Sequence, residues 1–218
     1  MKENAPLRVH FDQNSARPRP GGNFIDKIVH YICAGWLKFW GWEVKGDWPI
    51  RDHGGYKSVL VAAPHTSNWD GLHMLAATGY FQVKLRWIGK KSLTTGPFGG
   101  LVKWLGCVPV DRSASHDVVS QMREAFNSQD DFILLIPPEG TRGQGDGWKS
   151  GFYHIAHGAD VPIVLSILDY GNKTVRLSGC LHPSGNYEDD FDWIKTHYEN
   201  AQGKYNDKFS VKMKAPKN

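Results

Sequence analysis

The sequence predicts an α/β protein of one domain, with a mostly parallel twisted sheet flanked by helices and an amphipathic helix at its N-terminal side. Two observations predict this class. Strand-like and helix-like segments alternate from residue 56 onward, and several of the strand segments are continuous apolar runs, as strands covered on both faces require. The chain has 218 residues, 40% hydrophobic and 22% charged, which is enough for one large core. No linker composition divides residues 23–218, so they are read as one domain. Residues 1–22, polar and rich in Pro and Arg, read as a flexible tail.

The elements follow in order. Residues 23–42, NFIDKIVHYICAGWLKFWGW, place Phe24, Ile25, Ile28, Val29, Ile32, Trp36, Leu37 and Trp40 at helical intervals. Such a helix either packs on a core or lies in a membrane interface, with Trp at headgroup level and Lys snorkelling. Four of the nine tryptophans fall between Trp36 and Trp48, which favours the interface. Then come strands at 56–64, 84–90, 107–112, 131–138, 161–169 and 173–180. Helices are expected at 68–81, 97–106, 116–128, 148–159 and 189–206. Pro64 stops the first of these strands, and Thr66, Ser67 and Asn68 are candidate N-caps for the helix after it.

Composition narrows the function classes. A net charge of +4 is too mild to argue for nucleic acid, and no basic run interleaved with aromatics or zinc-finger pattern appears, so no nucleic-acid partner is expected. It suits a surface that meets phosphate or anionic lipid. The three cysteines, Cys33, Cys107 and Cys180, are odd in number and widely spaced, which argues against a disulfide framework or a Cys-based metal site. No basic start with an apolar core opens the chain, so no secretory signal is expected. Nor does any segment reach the roughly 18 consecutive apolar residues of a simple spanning helix.

In sheets of this type the loops leaving the C-terminal strand ends line the working crevice. Three polar loops fall there: PHTSNWD (64–70), VDRS (110–113) and PPEGTRG (137–143). On one straight helix, residues five apart diverge by roughly 140°, so His65 and Asp70 meet only if the backbone bends between them. Asp70 in the first helical turn faces free N–H groups and the positive end of the helix dipole, which keep it ionised. An ionised Asp beside an imidazole fixes the tautomer and stabilises the imidazolium, making a general base. The plainer alternative is that Asp70 only caps its helix. A metal reading would use His65, Asp70 and His73. Gly140 permits a tight turn, Arg142 offers a planar fork for phosphate or carboxylate, and Glu139 either holds Arg142 or accepts from a substrate hydroxyl. Arg112, Lys90 and Lys91 end neighbouring strands; Lys90 and Lys91 read best as solvated ends, with added positive potential as the alternative, and Arg112 is either an anion contact or a solvated salt bridge.

HTSNWD, VPVDR, PPEGTR and VPIV resemble, in order and spacing, the four blocks of the glycerolphosphate and lysophospholipid acyltransferases, relatives of 1-acylglycerol-3-phosphate acyltransferase. The resemblance covers roughly residues 56–168. It implies that His65 is the base and Asp70 its partner. It implies that Glu139, Gly140, Thr141 and Arg142 bind the acceptor, that Arg112 helps hold its phosphate, and that Val161 and Pro162 shape a pocket. The second block departs from the usual pattern, with Pro109 and Val110 where an aromatic is common, and the N-terminal anchor is reduced to a single helix.

The expected activity is O-acyl transfer from a thioester, acyl-CoA or acyl-carrier protein, to a lysophospholipid-like hydroxyl, with no resident cofactor, no metal and no covalent acyl-enzyme. Backbone N–H groups near 139–141 are candidates for stabilising the oxyanion. The expected place is the cytoplasmic face of a membrane, peripheral or monotopic, held through residues 23–42. The competing functions are a lipid-binding protein without turnover and a metal-dependent hydrolase.

Overall fold

The computed structural model describes residues 8–12, 22–46, 57–110 and 115–214. The elements in chain order are β1 (Arg8–His10), α1 (Phe24–Phe39), β2 (Glu43–Lys45), β3 (Lys57–Ala63), α2 (Trp69–Phe81), β4 (Leu85–Lys90), α3 (Lys91–Thr95), α4 (Gly99–Trp104), β5 (Cys107–Val110), α5 (Ser115–Ser128), β6 (Phe132–Ile136), α6 (Gly151–Ala159), β7 (Ile163–Asp169), β8 (Thr174–Leu181) and α7 (Tyr187–Tyr198), with a short 3-10 turn at Asn206–Lys208.

All eight strands form one sheet, ordered β1-β8-β7-β3-β6-β4-β5, with β2 also on β8. The central pairs β7–β3, β3–β6, β6–β4 and β4–β5 are parallel, and β8 returns antiparallel beside β7. The apolar runs are buried twice over because alternate side chains serve two cores. From β3, Val59, Val61 and Ala63 join Phe126, Phe152, Ile194 and Tyr198 on one face. Leu60 and Ala62 join Leu37, Met74, Ala77 and Phe81 on the other.

Helix α1 begins at a capping box, where the Asn23 side chain accepts from the Asp26 N–H and Asp26 accepts from the Asn23 N–H. It packs on α2 through the buried Leu37 and through His30, whose Nδ1 lies 2.6 Å from the Tyr80 carbonyl oxygen. Its other face leaves Phe24, Ile25, Tyr31, Ile32 and Phe39 exposed. The core-packing reading of this helix thus holds on one face, and the other face is left apolar and exposed. Among the described residues no helix is long and apolar enough to cross a membrane.

Three corrections concern the N-terminal and connecting segments. Residues 8–10, placed by sequence in a flexible tail, form β1: Arg8, Val9 and His10 pair with Leu181, Cys180 and Gly179, and Arg8 bridges Asp190 at 3.0 Å. β2 goes unpredicted as well, although its Val44 is buried. The helix expected at 97–106 is present but shorter, as α4, and α3, at residues given no helix by sequence, precedes it. The turn that follows needs glycine at Gly106: its φ is +89°, and a Cβ there would stand 2.0 Å from the Leu85 carbonyl oxygen.

Candidate active site

Because β3, β6, β4 and β7 run parallel, their C-terminal ends lie along one border of the sheet, and the loops carrying His65, Glu139–Arg142 and Tyr170 meet there. The bend expected between His65 and Asp70 is present. His65 Nδ1 lies 3.4 Å from Asp70 Oδ2, a long contact of the kind common in unliganded sites. With Nδ1 turned to the carboxylate, Nε2 is the nitrogen left to take a proton.

Asp70 is 1% exposed and satisfied on both oxygens. Oδ2 accepts from the backbone N–H groups of Thr66 (2.7 Å) and Ser67 (2.8 Å), and Oδ1 from the Ser67 and Tyr170 hydroxyls, each at 2.7 Å. Burial alone would raise its pKa. The contacts from His65, Tyr170 and Ser67 outweigh that and hold the carboxyl below its usual range. The carboxylate thus fastens the turn that presents His65 and also faces its ring. Of the three N-cap candidates, Asn68 takes the N-cap position but makes no side-chain cap bond. Ser67 Oγ accepts from the Trp69 N–H instead, and Asn68 Oδ1 receives the Arg142 guanidinium.

Glu139 is not an exposed acceptor contact, and it does not hold Arg142. It is 8% exposed, and its Oε1 accepts from the His65 backbone N–H at 2.9 Å. Its Oε2 is enclosed without a partner. It stands behind the pocket and ties the loop after β6 to the loop after β3. Burial pushes its carboxyl up to about 7, against the lowering effect of its own N–H and that of His65. The unfolded chain loses this proton near the ordinary value of 4.5, whereas the folded chain keeps it until about 7. Over that interval the folded state binds more protons, so stability falls as pH rises and levels off above about 7. Glu139→Gln, which keeps an oxygen for the His65 N–H, is expected to remove this slope. Urea midpoints measured from pH 4.5 to 8 check it, and a slope unchanged in the variant would show the proton to reside elsewhere.

A cavity of about 1200 Å³ opens at this border. Its polar side carries His65, Asp70, Thr141, Arg142 and Lys149, and its apolar side includes Met74, Trp87, Leu135, Ile136 and Phe152. It exists because the sheet splits here. β6 stays on β3 out to Ile136 but pairs with β4 only as far as Leu135, while the rest of β4 follows β5. The volume exceeds the roughly 300–1,000 Å³ of ordinary small-molecule sites, leaving room for a long chain and a polar head together. Gly140, at φ +64°, lets Lys149 close in, since a Cβ there would stand 2.8 Å from Lys149 Nζ. The Gly140 N–H is taken by the Pro137 carbonyl at 3.2 Å and is not a spare oxyanion donor.

Arg112 lies outside the described residues. Pro162 leads into β7, where its carbonyl accepts from the Val59 N–H, and Val161 is buried in the core; neither lines the cavity. Among the described residues no group that could hold a metal ion forms. His73 packs instead against Trp42, ring centroids 4.5 Å apart, and burial lowers its pKa. Tyr170 and Lys149 are the site residues that sequence reasoning missed.

Residues 42–166 match the protein-family model described as Acyltransferase. The chain is 31% identical over 135 residues to the 1-acyl-sn-glycerol-3-phosphate acyltransferase of Haemophilus influenzae, covering 59% of this chain and 55% of that protein. It is 33% identical over 134 residues to the enzyme of the same name from Escherichia coli, covering 58% and 53%. The chain thus spans about half the length of the curated relatives it matches. The crystal structure of the 1-acyl-sn-glycerophosphate (LPA) acyltransferase from Thermotoga maritima is similar in fold, with a TM-score of 0.53 at 17% identity over 79% of this chain and 76% of that one.

Proposed function

The chain belongs to the acyltransferase family, and from that premise we propose that it moves a fatty acyl group from an acyl thioester to the hydroxyl of a lysophosphatidic-acid-type acceptor, with His65 as general base. The observation that carries this reading is the His65–Asp70 pair on a cavity shared with Arg142 and Lys149. The acceptor oxygen attacks the thioester carbonyl carbon as its proton passes to His65 Nε2. Asp70 holds the imidazolium formed. The C–S bond then breaks, the thiolate leaves as the electron pair returns to the carbonyl, and the proton completes the free thiol. Ester and thiol are the products, and no acyl-enzyme intervenes.

Thr141, Arg142, Gly140 and Arg112 serve the acceptor's anionic head, joined by Lys149, and Glu139 serves it indirectly by fixing the base-bearing loop. The donor is acyl-CoA or an acyl-carrier protein. The chain works at the cytoplasmic face of a membrane, peripheral or monotopic, with the exposed face of α1 in the lipid interface.

Thiol release from acyl-CoA, followed with lysophosphatidic acid, uncharged lysolipids and water alone as acceptors, tests the reading. Release only in the presence of a lysolipid supports it. No release with any acceptor would leave a lipid-binding protein, and equal release into water a hydrolase. Arg142→Ala removes a charge-assisted contact of about 1.5–3 kcal/mol, so the acceptor KM is expected to rise by about 10–100-fold with kcat nearly unchanged. An unchanged KM would take Arg142 out of acceptor binding.

A further inference from the structure

We propose that the hairpin of α3 and α4, residues 91–105, is a second bilayer-contacting element, so that the cavity opens into the lipid between this hairpin and the α1–α2 pair. The first observation is exposure. Phe98 and Trp104 are 73% and 79% exposed, and Leu101 on the same hairpin is more than half exposed. A six-residue helix that leaves such side chains in water is short of a partner.

Continuity with the cavity is the second observation. Leu93 and Leu105 of the hairpin are exposed and also line the cavity, and Leu75 of α2 does the same on the other side. The rim is thus apolar on both flanks. Beyond Leu75, the exposed Leu72 and Trp69 lead on to Trp40 of the α1 end, whose ring centroid lies 5.2 Å from that of Trp69.

Charge identifies the occupant. Residues 71–110 contain no Asp or Glu, but they carry Lys84, Arg86, Lys90, Lys91 and Lys103. A surface of one sign, with exposed aromatics between lysines, fits an anionic bilayer: the rings reach the acyl boundary and the ammonium groups stay among phosphates. This deepens the proposed function, since a lysolipid held in such a surface would enter the cavity sideways without crossing water.

Two double variants test the surface, Phe98→Glu/Trp104→Glu and Lys91→Glu/Lys103→Glu. None of these four residues lines the cavity. Binding is measured by co-sedimentation with vesicles of phosphatidylcholine, with and without phosphatidylglycerol. The aromatic variant is expected to bind both vesicles about tenfold or more weakly. The lysine variant should lose about fivefold or more per lysine on the anionic vesicles and little on the neutral ones. Both should keep wild-type turnover of short-chain, water-soluble donor and acceptor. Unchanged sedimentation of both variants would overturn the proposal. So would unchanged sedimentation joined to loss of turnover with carrier-protein thioesters alone, which would make the hairpin a protein-docking surface. Failure of the acyl-transfer reading itself shows separately, as absent thiol release in a wild-type protein that still binds vesicles.

Discussion

His65→Ala protein is expected to keep its fold and to lose about 10²–10⁴-fold in kcat, the usual contribution of a positioned general base. The two halves of this expectation have different causes. The fold survives because the imidazole is partly exposed on the cavity wall and its one structural contact is with Asp70, which keeps four other donors. The backbone N–H of residue 65 still reaches Glu139, because that bond does not involve the side chain. Catalysis falls because, among the described residues, no other group on the cavity takes its place: Ser67 and Tyr170 both spend their hydroxyl protons on the carboxylate, and His73, the other imidazole near Asp70, is buried against Trp42 away from the cavity lining. Thiol release under saturating acceptor, measured beside a thermal melt, checks both halves. Full turnover in the alanine protein would remove His65 from the reaction.

Substitution of Asp70 is expected to damage both activity and stability, and two variants separate these effects. Asp70→Ala leaves the Thr66 and Ser67 N–H groups buried without an acceptor, at about 1–3 kcal/mol for each, so a drop of several kcal/mol in unfolding free energy is expected by urea titration. Asp70→Asn is gentler on the fold. Its carbonyl oxygen can take both N–H groups while its amide donates to the Ser67 or Tyr170 oxygen. It lacks the charge that stabilises the imidazolium, so kcat should still fall by about 10²–10⁴-fold. The native carboxyl is held below its ordinary pKa, so the stability it adds is present above about 4 and disappears as pH falls below that value. The Asn protein should lack this acid-side loss. Near-wild-type turnover in Asp70→Asn would mean that the carboxylate serves the turn and not the chemistry.

The legibility of the fold divides by length and by burial. β3, β6 and β7 are readable because two-sided burial writes them as unbroken apolar runs. β1 and β2 are three residues each, too short to show a period, and they exist because β8 offers an outer edge to pair with. In the site, the His65–Asp70 meeting is legible because it is local: a proline, a turn and a helix start decide it. Tyr170 is not, because its approach to Asp70 requires knowing that β7 lies beside β3. Lys149 depends likewise on the entry to α6 folding back over the glycine turn. Glu139 and Arg142 are near neighbours in sequence, which invites pairing them, yet each reaches across to the loop after β3, one to a backbone N–H and the other to Asn68.

The borders of the sheet have a consequence for life at a crowded surface. One border ends in β5, four residues long with Pro109 in its middle, which cannot donate a ladder hydrogen bond. At the other, β8 is covered at one end by β1 and at the other by β2. Among the described residues, neither margin presents a long uninterrupted strand edge to a neighbouring molecule. Copies held close together would therefore be protected from zipping together strand against strand, and a high local density need not end in aggregation.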